Sequence, residues 1–339
     1  MLIIDAQVHI WGSGKPSGHH RQTSVYTAQE LILEMGQAGI DGAVLHPPSW
    51  DAKSNEMAIE AAVQYPDKFC SLGWFPLDDP SQRQRIETWK QQPGMVGLRW
   101  SLTREGQETW HEDGTMDWLW PAAEKAGTPV ATMAWRFLPL FKQIAERHPH
   151  LKLVVDHLGL VRSGQGQAAF ATLDDLLLLA KLPNVAIKAT GAPAYSNKAY
   201  PFRDIHDGLH RIYDAYGPER FFWGTDITRM PCSYRQCVTF FTEELPWLKG
   251  KEHARLQITR DYLRIAFDRI PIATDTRSPI TRIAQKSLSL PARWRLDHDV
   301  YKYPVEIWLN NKLKKRMSAA HKPAVDAKRL ANTPAEAAC

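Results

Sequence analysis

Residues 1–10 read MLIIDAQVHI, an apolar segment in which Asp5, Gln7 and His9 stand at every second position. In a β-strand every second side chain points to the same face, so the pattern predicts a strand with these three residues on one face. The segment is too apolar for a surface strand, and it ends near a histidine. It therefore suits the first strand of a closed parallel barrel, with His9 at the carboxyl end where such barrels place their chemistry. An edge strand with a histidine of no function is the alternative.

The same unit recurs along the chain as apolar, β-branched segments that alternate with helical patterns. The predicted strands cover residues 2–10, 39–46, 69–75, 95–100, 128–134, 151–157, 184–190 and 220–226. The predicted helices cover residues 27–38, 54–65, 80–92, 116–126, 137–148, 168–181, 203–216 and 234–248. Eight such units predict a (β/α)₈ TIM barrel over residues 1–270. An open doubly wound sheet would need a glycine-rich turn that leads into a helix, whereas GSGKPSG at 12–18 leads into His19 and His20.

Residues 271–339 depart from this pattern. They hold 13 Lys/Arg against 6 Asp/Glu, so they carry the basic excess behind the net charge of +5. One helical pattern covers 304–317, and we predict a basic C-terminal extension that is helical or partly disordered. Charged tails of this kind are usually just solvated, so nucleic acid is not an expected partner.

Composition excludes several other classes of protein. Hydrophobic residues at 44% and charged residues at 23% are typical of a globular chain. No apolar run is long enough for a membrane helix, and the first residues lack the blocks of a secretion signal. The four cysteines have no zinc or redox spacing. We expect a cytoplasmic protein that acts on a small molecule, and homo-oligomerisation stays open.

Polar side chains stand at the carboxyl ends of most predicted strands. They are Gln7, His9, His46, Arg99, Arg136, Asp156, His157, Lys188 and Asp226. Strand carboxyl ends converge on one pocket in a barrel, so this placement predicts an active site. Any one of these residues alone is as well explained by a structural role, but His9, His157 and Asp226 together favour function.

Each type of side chain suggests a role. Asp226, next to apolar strand residues, can act as a general base. The histidines can donate hydrogen bonds to a carbonyl oxygen that becomes an oxyanion. The cationic side chains can bind a substrate carboxylate. Trp11 can line a pocket for a ring-shaped ligand, although most tryptophans serve only for packing. The cations are Arg99, Arg136, Lys188 and Arg229.

The motifs IDAQVHIW, NEMAIEAAVQYPDKF, GLRW, VVDHLG, IKATG and GPERFFWGTD occur in this order at barrel spacing. Together they resemble the amidohydrolase superfamily, within it the amidohydrolase-related group that includes 2-pyrone-4,6-dicarboxylate lactonase and sugar lactonases. The resemblance covers about residues 1–268 and not the extension. It implies that His9 matches the second histidine of the strand-one His-x-His motif, His157 the strand-six histidine and Asp226 the strand-eight aspartate.

Gln7 departs from the family motif, because it replaces the first histidine of the His-x-His pair. A neutral amide oxygen is a poor ligand for zinc beside imidazole. A metal, if bound, would be held by His9, His157 and Asp226, and three ligands can hold a catalytic zinc. Metal-independent lactonases within the family favour a site with no cofactor, and we expect none.

The sequence therefore predicts a metal-independent hydrolase that opens a lactone, one that bears a carboxylate. Asp226 would activate water, and His157, His9 and Arg99 would stabilise the oxyanion. A metal-dependent decarboxylase of the same superfamily is one alternative. A barrel that has lost catalysis and serves only for binding is another, and Gln7 is the residue that keeps it open.

Overall fold

Eight short parallel strands form a nearly closed barrel in the computed structural model, which describes residues 3–102 and 105–251. They pair in chain order, and the eighth strand returns to the first, where the amide of Asp226 donates to the carbonyl of Gln7 at 2.8 Å. The predicted TIM barrel is confirmed. The predicted extension over 271–339, with its helix at 304–317, lies outside the described residues.

Seven of the strands are shorter than predicted, β4 has the predicted bounds, and seven α-helices follow the strands within the described residues. The strands are β1 Ile4–Val8, β2 Gly42–Leu45, β3 Phe69–Gly73, β4 Met95–Trp100, β5 Val130–Thr132, β6 Leu153–Val155, β7 Val185–Thr190 and β8 Phe221–Gly224. The helices are α1 Ala28–Ala38, α2 Ser54–Gln64, α3 Leu119–Ala126, α4 Leu138–Arg147, α5 Leu173–Leu179, α6 His206–Tyr216 and α7 Tyr234–Thr239.

The prediction of an α-helix at 80–92 is wrong. Two 3₁₀ segments, Pro80–Glu87 and Trp89–Gln91, take its place between β3 and β4. Only Ile86 and Trp89 in them are buried. An α-helix on a barrel needs an apolar stripe along its length, and this polar segment offers none.

Helix α1 begins and ends as its sequence dictates. The Thr27 hydroxyl accepts from the amide of Glu30, and the Glu30 side chain accepts from the amide of Thr27. This capping box satisfies amides that the first turn leaves free. Gly39 ends the helix at φ 79°, a conformation that glycine adopts without the penalty of a Cβ.

The barrel interior is filled by small and branched side chains and one phenylalanine. They are Ala6, Val44, Cys70, Leu72, Ala131, Val154, Ala186 and Phe222. A larger apolar cluster lies between the strands and the surrounding helices. This packed interior leaves the carboxyl ends of the strands as the place for a site. Among the described residues, no helix has the length and apolarity that a membrane span requires.

The alternation predicted for β1 holds only in part. Gln7 and His9 contact residues from the ends of other strands, whereas Asp5 accepts from the Tyr234 hydroxyl of α7 at 2.8 Å. The pairing of β1 with β2 shifts between Asp5 and Val8. Such a shift breaks the period of two, so Asp5 and Gln7 lie on different faces of the barrel wall.

Candidate active site

Two of the predicted site residues have an unusual backbone. His157 has φ 52° and ψ 42° just after β6, and Asp226 has φ 54° and ψ 49° just after β8. Residues with a Cβ rarely adopt this left-handed region, and such residues cluster at functional sites. At β6 the turn lets two consecutive side chains, Asp156 and His157, both contact the interior.

Asp226 lies among cationic and imidazole groups and is almost fully buried. Its Oδ1 lies 3.3 Å from Nε2 of His9, and its Oδ2 lies 3.3 Å from Nε of Arg229 and 3.8 Å from Nε2 of His157. Burial alone would raise the pKa of the carboxyl, but His9, His20 and Arg229 outweigh it and hold that pKa well below its usual range. Asp226 is therefore ionised at neutral pH.

A chain of charged and polar groups lies beneath Asp226. Arg99 Nε donates to Asp156 at 2.8 Å, and Lys188 Nζ contacts the other oxygen of Asp156 at 2.6 Å. Lys188 also donates to Oε1 of Gln7 at 2.8 Å. Burial lowers the pKa of Lys188 to about 8, although Asp156 opposes the shift, so the ammonium persists at neutral pH. Burying two cations with a single carboxylate is tolerable only because each has a partner.

His157 joins this chain through Gln7. Its Nε2 lies 3.0 Å from Nε2 of the Gln7 amide. Its Nδ1 lies 3.2 Å from the carbonyl oxygen of Thr190 and 3.0 Å from the Thr190 hydroxyl. Burial lowers the pKa of His157 well below its usual value, with Arg229 adding to the effect, so the imidazole is neutral.

A cleft open to solvent lies above Asp226 at the carboxyl ends of the strands. Three arginines, Arg99, Arg162 and Arg229, line it together with the Trp50 ring. Positive charge and a flat aromatic wall suit a small anionic ligand with a ring.

The structure brings five of the ten predicted site residues to this cleft. They are His9, Arg99, His157, Asp226 and Arg229. Gln7, His46 and Lys188 are fully buried below it, and His46 Nε2 lies 3.1 Å from the carbonyl of Ala6.

Two predicted residues do not reach the cleft. Trp11 is buried beneath it, where its Nε1 donates to the carbonyl of Thr23 at 3.0 Å. Arg136 lines a neighbouring depression and lies 4.9 Å from the ring of Trp135. Arg136 thus lies beside the cleft, whereas Met133, directly after β5, lines it.

Several residues of the cleft were not predicted from the sequence, and His20 and Arg162 are the two that bear on its chemistry. His20 belongs to the first loop, where its Nδ1 lies 2.7 Å from the Thr228 hydroxyl and its ring lies 5.2 Å from that of His9. Burial lowers the pKa of His20 to about 3. The His19–His20 doublet was the available signal, but loop residues have no periodicity that predicts where they point.

His9, His20 and Asp226 fit a single divalent ion. Each offers one ligand atom, and these atoms lie within 4.8 Å of one another. Two imidazoles and a carboxylate are ligands that zinc accepts, and such an ion would polarise a carbonyl as a Lewis acid. These candidate metal ligands differ from the predicted ones, because His20 takes the place of His157. The Nε2 of His157 faces Gln7 instead. Gln7 itself turns its oxygen to Lys188.

The fold and site define a class of barrel enzymes, and the sequence assigns the chain to it. Residues 4–262 match the amidohydrolase family, so this chain belongs to that family. The chain also superposes on a zinc-bound amidohydrolase from Burkholderia multivorans, with a TM-score of 0.67, 20% identity and coverage of 78% of this chain and 99% of the other. At this identity the superposition shows the fold alone.

Two named relatives are similar to this chain over about two thirds of its length. L-fucono-1,5-lactonase of Burkholderia ambifaria is 21% identical over 66% of this chain and 79% of its own length. 4-Sulfomuconolactone hydrolase of Hydrogenophaga intermedia is 25% identical over 67% of this chain and 77% of its own length.

Proposed function

We propose that this chain is a hydrolase that opens lactones bearing an acidic group, without a bound metal. The observation that carries the proposal is the buried, ionised carboxylate of Asp226 at the base of an arginine-lined cleft. Relatives named as a lactonase and a lactone hydrolase support the same reaction.

The reaction needs a base, an oxyanion site and a proton for the leaving group. Asp226 accepts a proton from water as the water oxygen attacks the ring carbonyl. Arg99 lines the cleft and stabilises the oxyanion that forms, whereas the two ring nitrogens of His9 face the carbonyl of His46 and the carboxylate of Asp226. The ring C–O bond then breaks, and the proton held by Asp226 passes to the departing alkoxide, which regenerates the carboxylate. Water and lactone thus give one hydroxy acid.

The low pKa of Asp226 makes it a weak base before substrate binds. Arg229 is one cause, and it is also open to the cleft. A substrate carboxylate beside Arg229 would offset part of its charge, so the pKa of Asp226 would rise when an anionic substrate binds. This coupling favours acidic lactones over neutral ones.

The proposal of metal independence rests on two contacts. The oxygen of Gln7 already accepts from the Lys188 ammonium at 2.8 Å, so it has no role as a ligand. The guanidinium of Arg229 lies 3.3 Å from Asp226 and already supplies positive charge beside that carboxylate. If one divalent ion does bind, His9, His20 and Asp226 would hold it.

A lactone panel tests the proposed reaction. Purified protein is incubated with pairs of five- and six-membered lactones that differ only by a carboxylate, and ring opening is followed by NMR. We expect ring opening, with a higher kcat/KM for the acidic member of each pair. Release of CO₂ from aromatic acids without any lactone opening would instead indicate a decarboxylase. Ligand binding with no turnover would indicate a binding barrel.

A further inference from the structure

Gln7 lies between a cation and an imidazole, and this position fixes which way its amide points. An ammonium group has only N–H bonds to offer, so the Gln7 atom 2.8 Å from Lys188 Nζ must be the acceptor oxygen. The amide nitrogen then faces His157, and it can only donate. Lys188 keeps its proton because Asp156 lies 2.6 Å from it on another side.

The protonation of His157 follows from these contacts. Nε2 of His157 lies 3.0 Å from the Gln7 amide nitrogen, so it accepts and carries no proton. The opposite side of the ring is compatible with this assignment. Nδ1 lies 3.2 Å from the carbonyl oxygen of Thr190, which only accepts, and 3.0 Å from the Thr190 hydroxyl, which can also accept, so a proton on Nδ1 satisfies both contacts.

We propose that Gln7 is a positioning residue that holds His157 in the neutral Nδ1–H form, with Nε2 as an acceptor. With a histidine or a carboxylate at position 7, the Nε2 of His157 would be open to a proton. In this chain no N–H of His157 points at Asp226, although the two side chains lie 3.8 Å apart.

This proton placement divides the roles of the two residues. Because His157 donates nothing to Asp226, the carboxylate keeps its lone pairs for a water molecule. The same placement removes His157 from the oxyanion donors that the sequence predicted, since its only N–H is turned to Thr190. The assignment of the proton stands on geometry alone, and only its effect on turnover rests on the proposed function.

Histidine-selective ¹⁵N NMR tests the assignment in the full-length protein near pH 7. Long-range ¹H–¹⁵N correlations distinguish the two tautomers and the imidazolium form, and a His157→Gln sample identifies the signal. We expect Nδ1 of His157 to be protonated and Nε2 to be bare in the wild type. A proton on Nε2 in the wild type, in either the neutral or the charged ring, would overturn the proposal.

Gln7→Glu reverses the polarity at position 7, because a carboxylate accepts from both Lys188 and His157. We expect a proton to appear on Nε2 of His157 and kcat to fall at least about tenfold. Gln143→Glu, on the exposed side of α4, makes the same chemical change as a control and should leave both unchanged. A folded Gln7→Glu protein whose Nε2 stays bare would contradict the proposal. If this variant does not fold, the wild-type spectrum decides. Lost turnover of lactones with the predicted tautomer intact would count against the proposed reaction only.

Discussion

Two buried carboxylates at the junction of β1 and β8 differ in everything except their burial. Asp5, on the helix side of the wall, accepts from the amides of Gln7 and Thr225 and from the hydroxyls of Thr225 and Tyr234. Asp226, at the cleft, faces imidazoles and a guanidinium. Burial raises the pKa of Asp5 to about 6 despite these hydrogen bonds, whereas the pKa of Asp226 is held well below its usual range.

A buried carboxylate can be stabilised by neutral hydrogen-bond donors or by imidazole and guanidinium groups, and the two environments shift its pKa in opposite directions. Neutral hydrogen bonds do not fully repay desolvation, so Asp5 has a raised pKa and ties β8 and α7 to β1. The imidazoles of His9 and His20 and the guanidinium of Arg229 more than repay it, so Asp226 stays ionised at the cleft. The first carboxylate is structural, and the second has the properties of a reactive group.

The largest expected effect is that of Asp226→Asn. Asparagine has nearly the same shape but cannot take a proton from water, so kcat should fall by about a hundredfold to ten-thousandfold. Circular dichroism and the melting temperature should show a folded protein. Near-normal lactone turnover by this variant would end the assignment of Asp226 as the base.

A smaller effect is expected from Arg229→Gln. Removing this cation raises the pKa of Asp226, so the acid limb of the kcat/KM profile should move to higher pH, by about one pH unit. KM for acidic lactones should also rise, by about tenfold. Arg235→Gln, which removes an exposed charge on α7, is the matched control. An unchanged acid limb in Arg229→Gln would show that another group titrates there.

Asp5→Asn should have the smallest effect on turnover and should act on stability instead. The folded carboxyl takes up its proton near pH 6 and the unfolded one near pH 4, so the contribution of Asp5 to stability is present at low pH and lost as pH rises through 6. As pH falls from 7 to 4, wild type should gain up to about 3 kcal/mol in the free energy of unfolding relative to Asp5→Asn. Urea titrations at several pH values measure this difference. Parallel curves for the two proteins would refute the raised pKa.

The barrel could be predicted from the sequence because it depends on repeated local patterns. Apolar runs and helical spacing recur through the described chain, and polar residues at strand ends predicted where His9, His157 and Asp226 meet. The strand ends did not reveal which of these residues open to the cleft. His46 and Lys188 lie at or near strand ends just as Arg99 does, yet both are fully buried.

Other parts of the site depend on tertiary contacts that have no local signal. The shift in pairing between Asp5 and Val8 separated two side chains that strict alternation placed together. His20 reaches the cleft because the first loop folds back and its Nδ1 contacts Thr228, which is distant in the chain. The tautomer of His157 depends on its contact with Gln7. From the sequence, Gln7 indicated only that a metal ligand was missing.

Turnover and metal content measured on one preparation test whether Asp226 acts without a metal. The metal content of purified wild-type protein is measured by mass spectrometry, and opening of an acidic lactone is then measured before chelation, after chelation and after zinc is returned. Metal-free hydrolysis through Asp226 predicts well under one equivalent of zinc or manganese and the same kcat in all three measurements. Stoichiometric metal, with activity lost on chelation and regained when zinc is added, would contradict metal-independent hydrolysis. It would instead assign His9, His20 and Asp226 to a metal centre.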